Sequence, residues 1–170
     1  MPRTANFGGP ILGTSNYVNG VQTDRDVKFE IPGINNVTTE IQAMGKHEVP
    51  LKGYFEAIEY KGYFNRLDTA AMEAFTPALN TIEHRWVQSE IDTNGIEHEV
   101  GCKAIIKGRS KNALPSIAVE TSTALEIEHT MSAQSVYLYR DGVEILAIDR
   151  FSQTYRVNVK DYYRDIDAKL

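Results

Sequence analysis

Residues 135–149 read SVYLYRDGVEILAID, and this stretch decides the fold class. Two alternating runs flank Asp141-Gly142, a dipeptide that favours the left-handed backbone of a two-residue hairpin turn. Closing the turn there pairs Arg140 with Val143, Tyr139 with Glu144, Leu138 with Ile145 and Tyr137 with Leu146. One face then carries Val136, Leu138, Ile145 and Ala147, and the other Tyr137, Tyr139, Leu146 and Ile148. Neither face is polar. Such a hairpin must be covered on both sides, by its own fold or by neighbouring subunits.

Outward from the hairpin, β signals recur. Val27–Ile31 alternates and stops at Pro32-Gly33. In Val37–Ala43, Thr38, Glu40 and Gln42 point one way and Thr39, Ile41 and Ala43 the other. Met44–Pro50 reads as a connecting loop, and Leu51–Phe64 as a tyrosine-rich strand region with Gly53 and Gly62 as bulge points. Thr81–Ile91 and Ile96–Lys107 flank Asn94-Gly95 as a second hairpin. Lys107–Ser116 reads as a basic loop, Val119–Met131 as an alternating strand, and Phe151–Val159 as one strand more. A single helix is expected after Asp68, with Ala71, Met72, Phe75 and Leu79 on one stripe and Pro77 ending it. The polar tail Asp161–Leu170 suits a short helix. Residues 1–25, rich in Gly, Asn, Ser and Thr and without a period, read as an extended arm. The expectation is a single domain over residues 1–170, mainly β: an antiparallel β-sandwich or barrel with one short α-helix.

Composition narrows the function classes. The chain has 170 residues, 42% of them hydrophobic and 24% charged, which suits a globular fold with a sizeable core. No apolar run approaches the ~18 residues of a membrane span, so no membrane anchor is expected. The N-terminal stretch lacks a signal-peptide layout. One cysteine, Cys102, rules out an internal disulfide, and a reducing cytoplasm fits. A net charge of −5 argues against phosphate-neutralising nucleic-acid binding, though not against a wall that DNA passes without sticking.

Chemical motifs are sparse. His98 and Cys102 share a strand face but stand ~13 Å apart, too far to ligate one metal. His47, His84 and His129 join no CxxC or HExxH pattern, so neither metal nor cofactor is expected. No GxSxG, GxxxxGK[ST] or GxGxxG occurs, which leaves no anchor for a hydrolase triad or a phosphate cradle. In the second hairpin's register Asp92 would face Glu97, and Glu90 would face Glu99. That acidic tip fits a solvated turn, a dock for a basic partner, or a calcium site without EF-hand spacing. Lys103, Lys107, Arg109 and Lys111 form the basic counterpart, either solvated or set against an acidic patch on an identical neighbour. The nine tyrosines are spread over several strands, as core and interface residues are.

The ordered set of elements resembles a known family. It comprises a strand into Ile31-Pro32-Gly33-Ile34, a polar strand with Glu40, Met44-Gly45, Pro50–Tyr60 with Glu56 and Glu59, and a helix. Ile106-Lys107-Gly108-Arg109, Leu125–His129, the Tyr137–Asp141-Gly142 hairpin and Ile148-Asp149 follow. This order is similar to that of the major tail tube proteins of contractile-tailed bacteriophages, the family that also builds the inner tube of R-type bacteriocins. The likeness is strongest from about Val100 to Asp149 and loosest in Phe151–Leu170 and the first 25 residues.

The resemblance implies a non-enzymatic structural protein of the virion tail, assembled in the bacterial host cytoplasm. Its hexameric rings would close subunit strands into one ring-wide β-barrel and stack inside a contractile sheath. Sheath, baseplate and tail terminator proteins would be its partners, and DNA would pass the lumen without specific binding. Thr38, Glu40, Gln42 and Glu56 are then expected to line the lumen, with Thr39, Ile41 and Ala43 facing the core. Met44, Gly45, Lys46, His47 and Glu48 are expected to stack rings, with help from the arm. Tyr137, Leu146, Ile148, Lys107 and Arg109 are expected at subunit interfaces. The alternative is a soluble β-sandwich that binds a ligand or protein through its acidic hairpin or tyrosines; a hydrolytic carboxylate pair has no supporting spacing.

Overall fold

The computed structural model of the chain describes residues 6–170. In chain order the elements are β1 (Phe7–Val18), β2 (Val21–Arg25), β3 (Phe29–Glu30), β4 (Asn36–Gln42), β5 (Lys46–Phe55), β6 (Ile58–Phe64), α1 (Thr69–Glu73) and β7 (Asn80–Ile91). β8 (Glu97–Ser110), β9 (Ile127–Arg140), β10 (Val143–Asp149), β11 (Thr154–Val157), β12 (Lys160–Asp161) and α2 (Arg164–Asp167) complete the series. The fold is mainly antiparallel β, a sandwich with two short helices, the second of them in the tail.

One sheet runs β12-β11-β10-β9-β8-β7-β1-β2, with β6 branching from β9 and β3 from β6. The 14-residue β9 makes the branch possible. Along one edge it pairs with β8; along the other its first half pairs with β6 and its second half with β10. The β6–β3 flap folds back over β7 and β1, where Phe29 stacks on His84 at 4.1 Å. The sheet does not close into a barrel within one chain.

The core lies between flap and sheet: Ile58, Tyr60 and Phe64 from β6 meet Ile82, Ile106, Ile127, Met131, Val136 and Ile148. α1 plugs one side. Asp68 stands in extended backbone and its Oδ1 accepts from the Ala71 N–H at 2.7 Å, a side-chain cap for the first turn. Ala71 and Phe75 face the core, whereas Met72 and Leu79 are exposed, so the stripe covers half the expected residues. A polar relay crosses the apolar interior: the Tyr60 hydroxyl donates to His84 Nε2 at 2.6 Å, and His84 Nδ1–H donates to Asn16 Oδ1 at 2.7 Å. It fastens β6, β7 and β1 to one another.

Several expectations change, among them the reading of Lys107–Ser110 as loop, which is the end of β8. Residues 7–25 are not an arm but the hairpin β1–β2 built into the sheet against β7; residues 1–5 lie outside the described residues. The periodicity is hidden there because three of its four buried positions are polar, Asn16, Thr23 and Asp24 beside the apolar Val18. The stretch Lys46–Pro50 is strand, not loop. Val119–Glu126 is not strand, because Ser122 adopts φ +70° and Thr123 N–H closes a turn onto the Glu120 carbonyl at 3.3 Å.

Both hairpins slip by one residue. Asp92 Oδ1 accepts from the Asn94 and Ile96 N–H groups, making a five-residue loop that pairs Ile91 with Glu97, Glu90 with His98 and Ser89 with Glu99. The opposed carboxylates are thereby avoided. In the β9–β10 hairpin a bulge at Ile145 sets Leu146 opposite Leu138, Ala147 opposite Tyr137 and Ile148 opposite Val136. Val136, Leu138, Leu146 and Ile148 thus share the core face, while the other face carries Tyr137, Tyr139, Glu144 and Asp149 and is amphipathic.

Candidate assembly surfaces

β4 and β5 form a two-stranded sheet of their own, paired with no other strand among the described residues. Almost every residue from Asn36 to Tyr54 is exposed or half-buried. The turn is made by Met44 at φ +53° and Gly45 at φ +131°, the signal that marks Met44-Gly45 as a hairpin tip. At the base, Glu56 N–H donates to the Asn35 carbonyl at 2.9 Å, and Phe55 meets Tyr155 edge-on at 5.1 Å. Gly53, at φ +80°, lies against the Tyr163 ring so closely that no Cβ fits. The tail therefore pins the hairpin's root and leaves its length projecting.

The register sorts the expected lumen and stacking residues. Thr38 faces Pro50, Glu40 faces Glu48 and Gln42 faces Lys46, so Thr38, Glu40 and Gln42 share a polar face with Lys46 and Glu48. Lys46 Nζ stands 3.6 Å from Glu40 and the Gln42 amide donates to the same carboxylate at 3.3 Å. That bridging offsets part of the Glu40–Glu48 repulsion. His47 lies on the opposite face beside Ile41, with Thr39 and Val49. Thr39 and Ile41, expected against the chain's own core, meet none of it; Ile41 is exposed. Glu56 is exposed at the hairpin's base, beyond the ladder, and Met44 and Gly45 sit at the tip.

The expected interface residues separate. Ile148 is buried in the chain's own core and Leu146 packs against it, because the Ile145 bulge turns both inward. Tyr137 is half-buried on the other face, its hydroxyl donating to Asp149 Oδ2 at 3.3 Å; burial pushes that hydroxyl's pKa up. Lys107 and Arg109 stand at the far end of β8, where Arg109 Nη1 donates to the Pro77 carbonyl at 3.1 Å. Lys103 lies over the Tyr139 ring at 4.8 Å and Lys111 reaches Glu59 at 3.2 Å, so the basic cluster is partly consumed within the chain.

His84 and His129 are enclosed in the core, and burial lowers their pKa values to about 3 and about 4. Burial raises the Cys102 thiol. Among the described residues no three His, Cys, Asp or Glu side chains are placed to hold a metal ion. Two buried or half-buried carboxylates escaped the sequence pattern. Glu90 and Arg140 make a bidentate pair at 2.6 and 2.8 Å across β8, which holds the Glu90 carboxyl below its ordinary pKa. Asp24 is buried with no hydrogen bond to either oxygen, Arg66 standing at 3.9 Å, and burial raises its pKa. No spacing rule joins Glu90 to a residue fifty positions away.

A family described as phage tail tube protein FII matches residues 11–170. The chain belongs to this family. It is a structural subunit of a phage tail tube, a component of the virion tail that associates with copies of itself. Similarity to the tail tube family extends beyond the stretch where the residues alone made it strongest: the match takes in β1 from Ile11, β2, and the tail through α2. The tail tube protein matches no curated protein. Among its described residues no helix is long and apolar enough to cross a membrane.

Proposed function

We propose that this tail tube subunit belongs to a contractile tail, and that hexameric rings of it stack into the inner tube that pierces a target envelope and conducts DNA. The observation that carries this is the β4–β5 hairpin. Two strands alone are marginally stable in water, and each leaves one edge of unpaired backbone groups. Pairing those edges with adjacent copies turns a projecting hairpin into one segment of a ring-wide barrel, which abolishes the edges. The polar face with Thr38, Glu40 and Gln42 then lines a water-filled lumen, and Glu56 stands near its wall. The other face, with Ile41 and Val49, lies against the subunit bodies.

The hairpin tip at Met44-Gly45, with Lys46, His47 and Glu48 behind it, reaches the neighbouring ring. Carboxylates on the wall repel phosphate, so DNA slides without binding. Sheath, baseplate and tail terminator proteins are the remaining partners, and assembly takes place in the host cytoplasm. A tube carrying Glu40→Lys together with Glu56→Lys tests the lumen assignment. It should assemble normally and deliver DNA poorly; undiminished delivery removes these residues from the lumen.

A further inference from the structure

The β7–β8 ladder runs without interruption from Asn80 opposite Gly108 to Ile91 opposite Glu97, and its two ends carry opposite charge that no ion pair among the described residues compensates in full. At the turn end, Asp92 is occupied in closing the loop and Glu90 is bound by Arg140. Glu97 and Glu99 are exposed; Glu97 Oε1 accepts from the Ser89 hydroxyl at 2.6 Å, and no described cation stands within 4.0 Å of either carboxylate. Between them and the tip, Ile96 is 55% exposed.

The far end is the complement. Arg109 and Arg150 line a groove of about 320 Å³ together with Phe151, which is 80% exposed. Gly108, Ser132, Ala133 and Gln134 form the rest of it, where β8 bulges past β9. Among the described residues Arg109, Arg150 and the adjacent Lys107 have no carboxylate partner. One end is convex, acidic and tipped by an aliphatic side chain; the other is concave, basic and edged by an aromatic ring.

Glu97 and Arg109 are the same strand's two ends, so the charged surfaces lie ~40 Å apart at 3.3 Å per residue and point in opposite directions. Two copies related by a two-fold axis cannot join them. Joining them makes a heterologous contact that repeats along the strand direction instead of closing on itself. We propose that the β7–β8 turn of one copy seats in the Arg109–Arg150 groove of the next copy along the tube axis, with Ile96 against Phe151 and Glu97 and Glu99 against the two guanidinium groups. The contact rests on the tube function proposed above and assigns it a second ring-to-ring joint beside the β4–β5 tip. It has a polarity: every ring presents turns on one side and grooves on the other, which gives the tube a direction.

The test uses full-length protein carrying Glu97→Lys with Glu99→Lys, protein carrying Arg109→Glu with Arg150→Glu, and the two mixed. Assembly is read by sedimentation and electron microscopy. Arg150→Glu alone is included because it keeps the Arg109–Pro77 bond. Each variant alone should need a roughly tenfold higher concentration to form tubes, as like charges then meet across the joint. The equimolar mixture should recover wild-type assembly, since the reversed turn fits the reversed groove. Normal assembly by the single variants, or a mixture that does not recover while wild type forms tubes, overturns this contact and leaves the tube function standing. Wild-type protein that forms no tubes even on a preformed seed overturns both.

Discussion

Two core histidines behave oppositely although their surroundings look alike. His84 uses both ring nitrogens, one toward Tyr60 and one toward Asn16. His129, with Phe75 at 4.9 Å and Phe64 and Tyr60 around it, makes no hydrogen bond of good geometry with either nitrogen. Burial holds both neutral, with pKa values of about 3 and about 4 in the folded chain against 6.5 when exposed. The sign follows directly. Below pH 6.5 the unfolded chain takes up protons that the folded chain refuses, so stability falls as pH drops toward those lowered values. Each histidine contributes a slope of up to ~1.4 kcal/mol per pH unit.

Urea unfolding at pH 7 and pH 5 reads this slope above the range where most carboxylates titrate. His129→Leu should be as stable as wild type or about 1 kcal/mol more stable at pH 7, because it removes an unsatisfied polar group. It should also lose about half of the acid sensitivity. An unchanged slope, or a clear loss of stability at pH 7, contradicts this account of His129. The sequence could not assign these roles: a histidine on an alternating strand looks the same whether it is satisfied, stranded or exposed.

At the level of elements, strands were legible and their registers were not. Asp141-Gly142 and Asn94-Gly95 located both turns, but the pairing beyond them depends on an Asp92 carboxylate that caps its own loop and on an extra residue at Ile145. Neither leaves a trace in the alternation. A one-residue slip moves every following side chain to the other face, which is why Ile148 belongs to the core and Tyr137 does not. β1 went unread for the opposite reason, since Asn16 is buried by hydrogen bonding and not by being apolar; Asn19-Gly20, with φ +49° and +85°, was the available signal of its turn.

The β4–β5 hairpin is the element whose behaviour should change most on assembly. In the isolated subunit its backbone is exposed along both outer edges. Amide hydrogen exchange at Val37–Leu51 should therefore be fast in the monomer, while Ile106, Met131 and Val136 in the core exchange slowly. In assembled tubes the hairpin should become protected and the core should change little. A hairpin that stays unprotected in tubes is not part of a continuous barrel.

On the scale of the molecule, the order of elements pointed to the tail tube family, and the family match over residues 11–170 agrees. The flap of β6 and β3 over β7 was not legible, because it depends on β9 serving two partners along one edge. That division leaves a closed body, fastened by the Tyr60–His84–Asn16 relay, and an open hairpin outside it. The body needs no neighbour to bury its core. On the contacts proposed above, the hairpin and the two charged ends of the β7–β8 ladder are the parts that gain from one, and such a subunit is expected to fold alone and polymerise on a template.

Negative-stain electron microscopy of the purified protein, concentrated at low and moderate salt with and without a preformed tube or baseplate as seed, tests this most directly. The account predicts six-fold rings or hollow tubes; particles that remain monomeric in every condition, seeded ones included, contradict it.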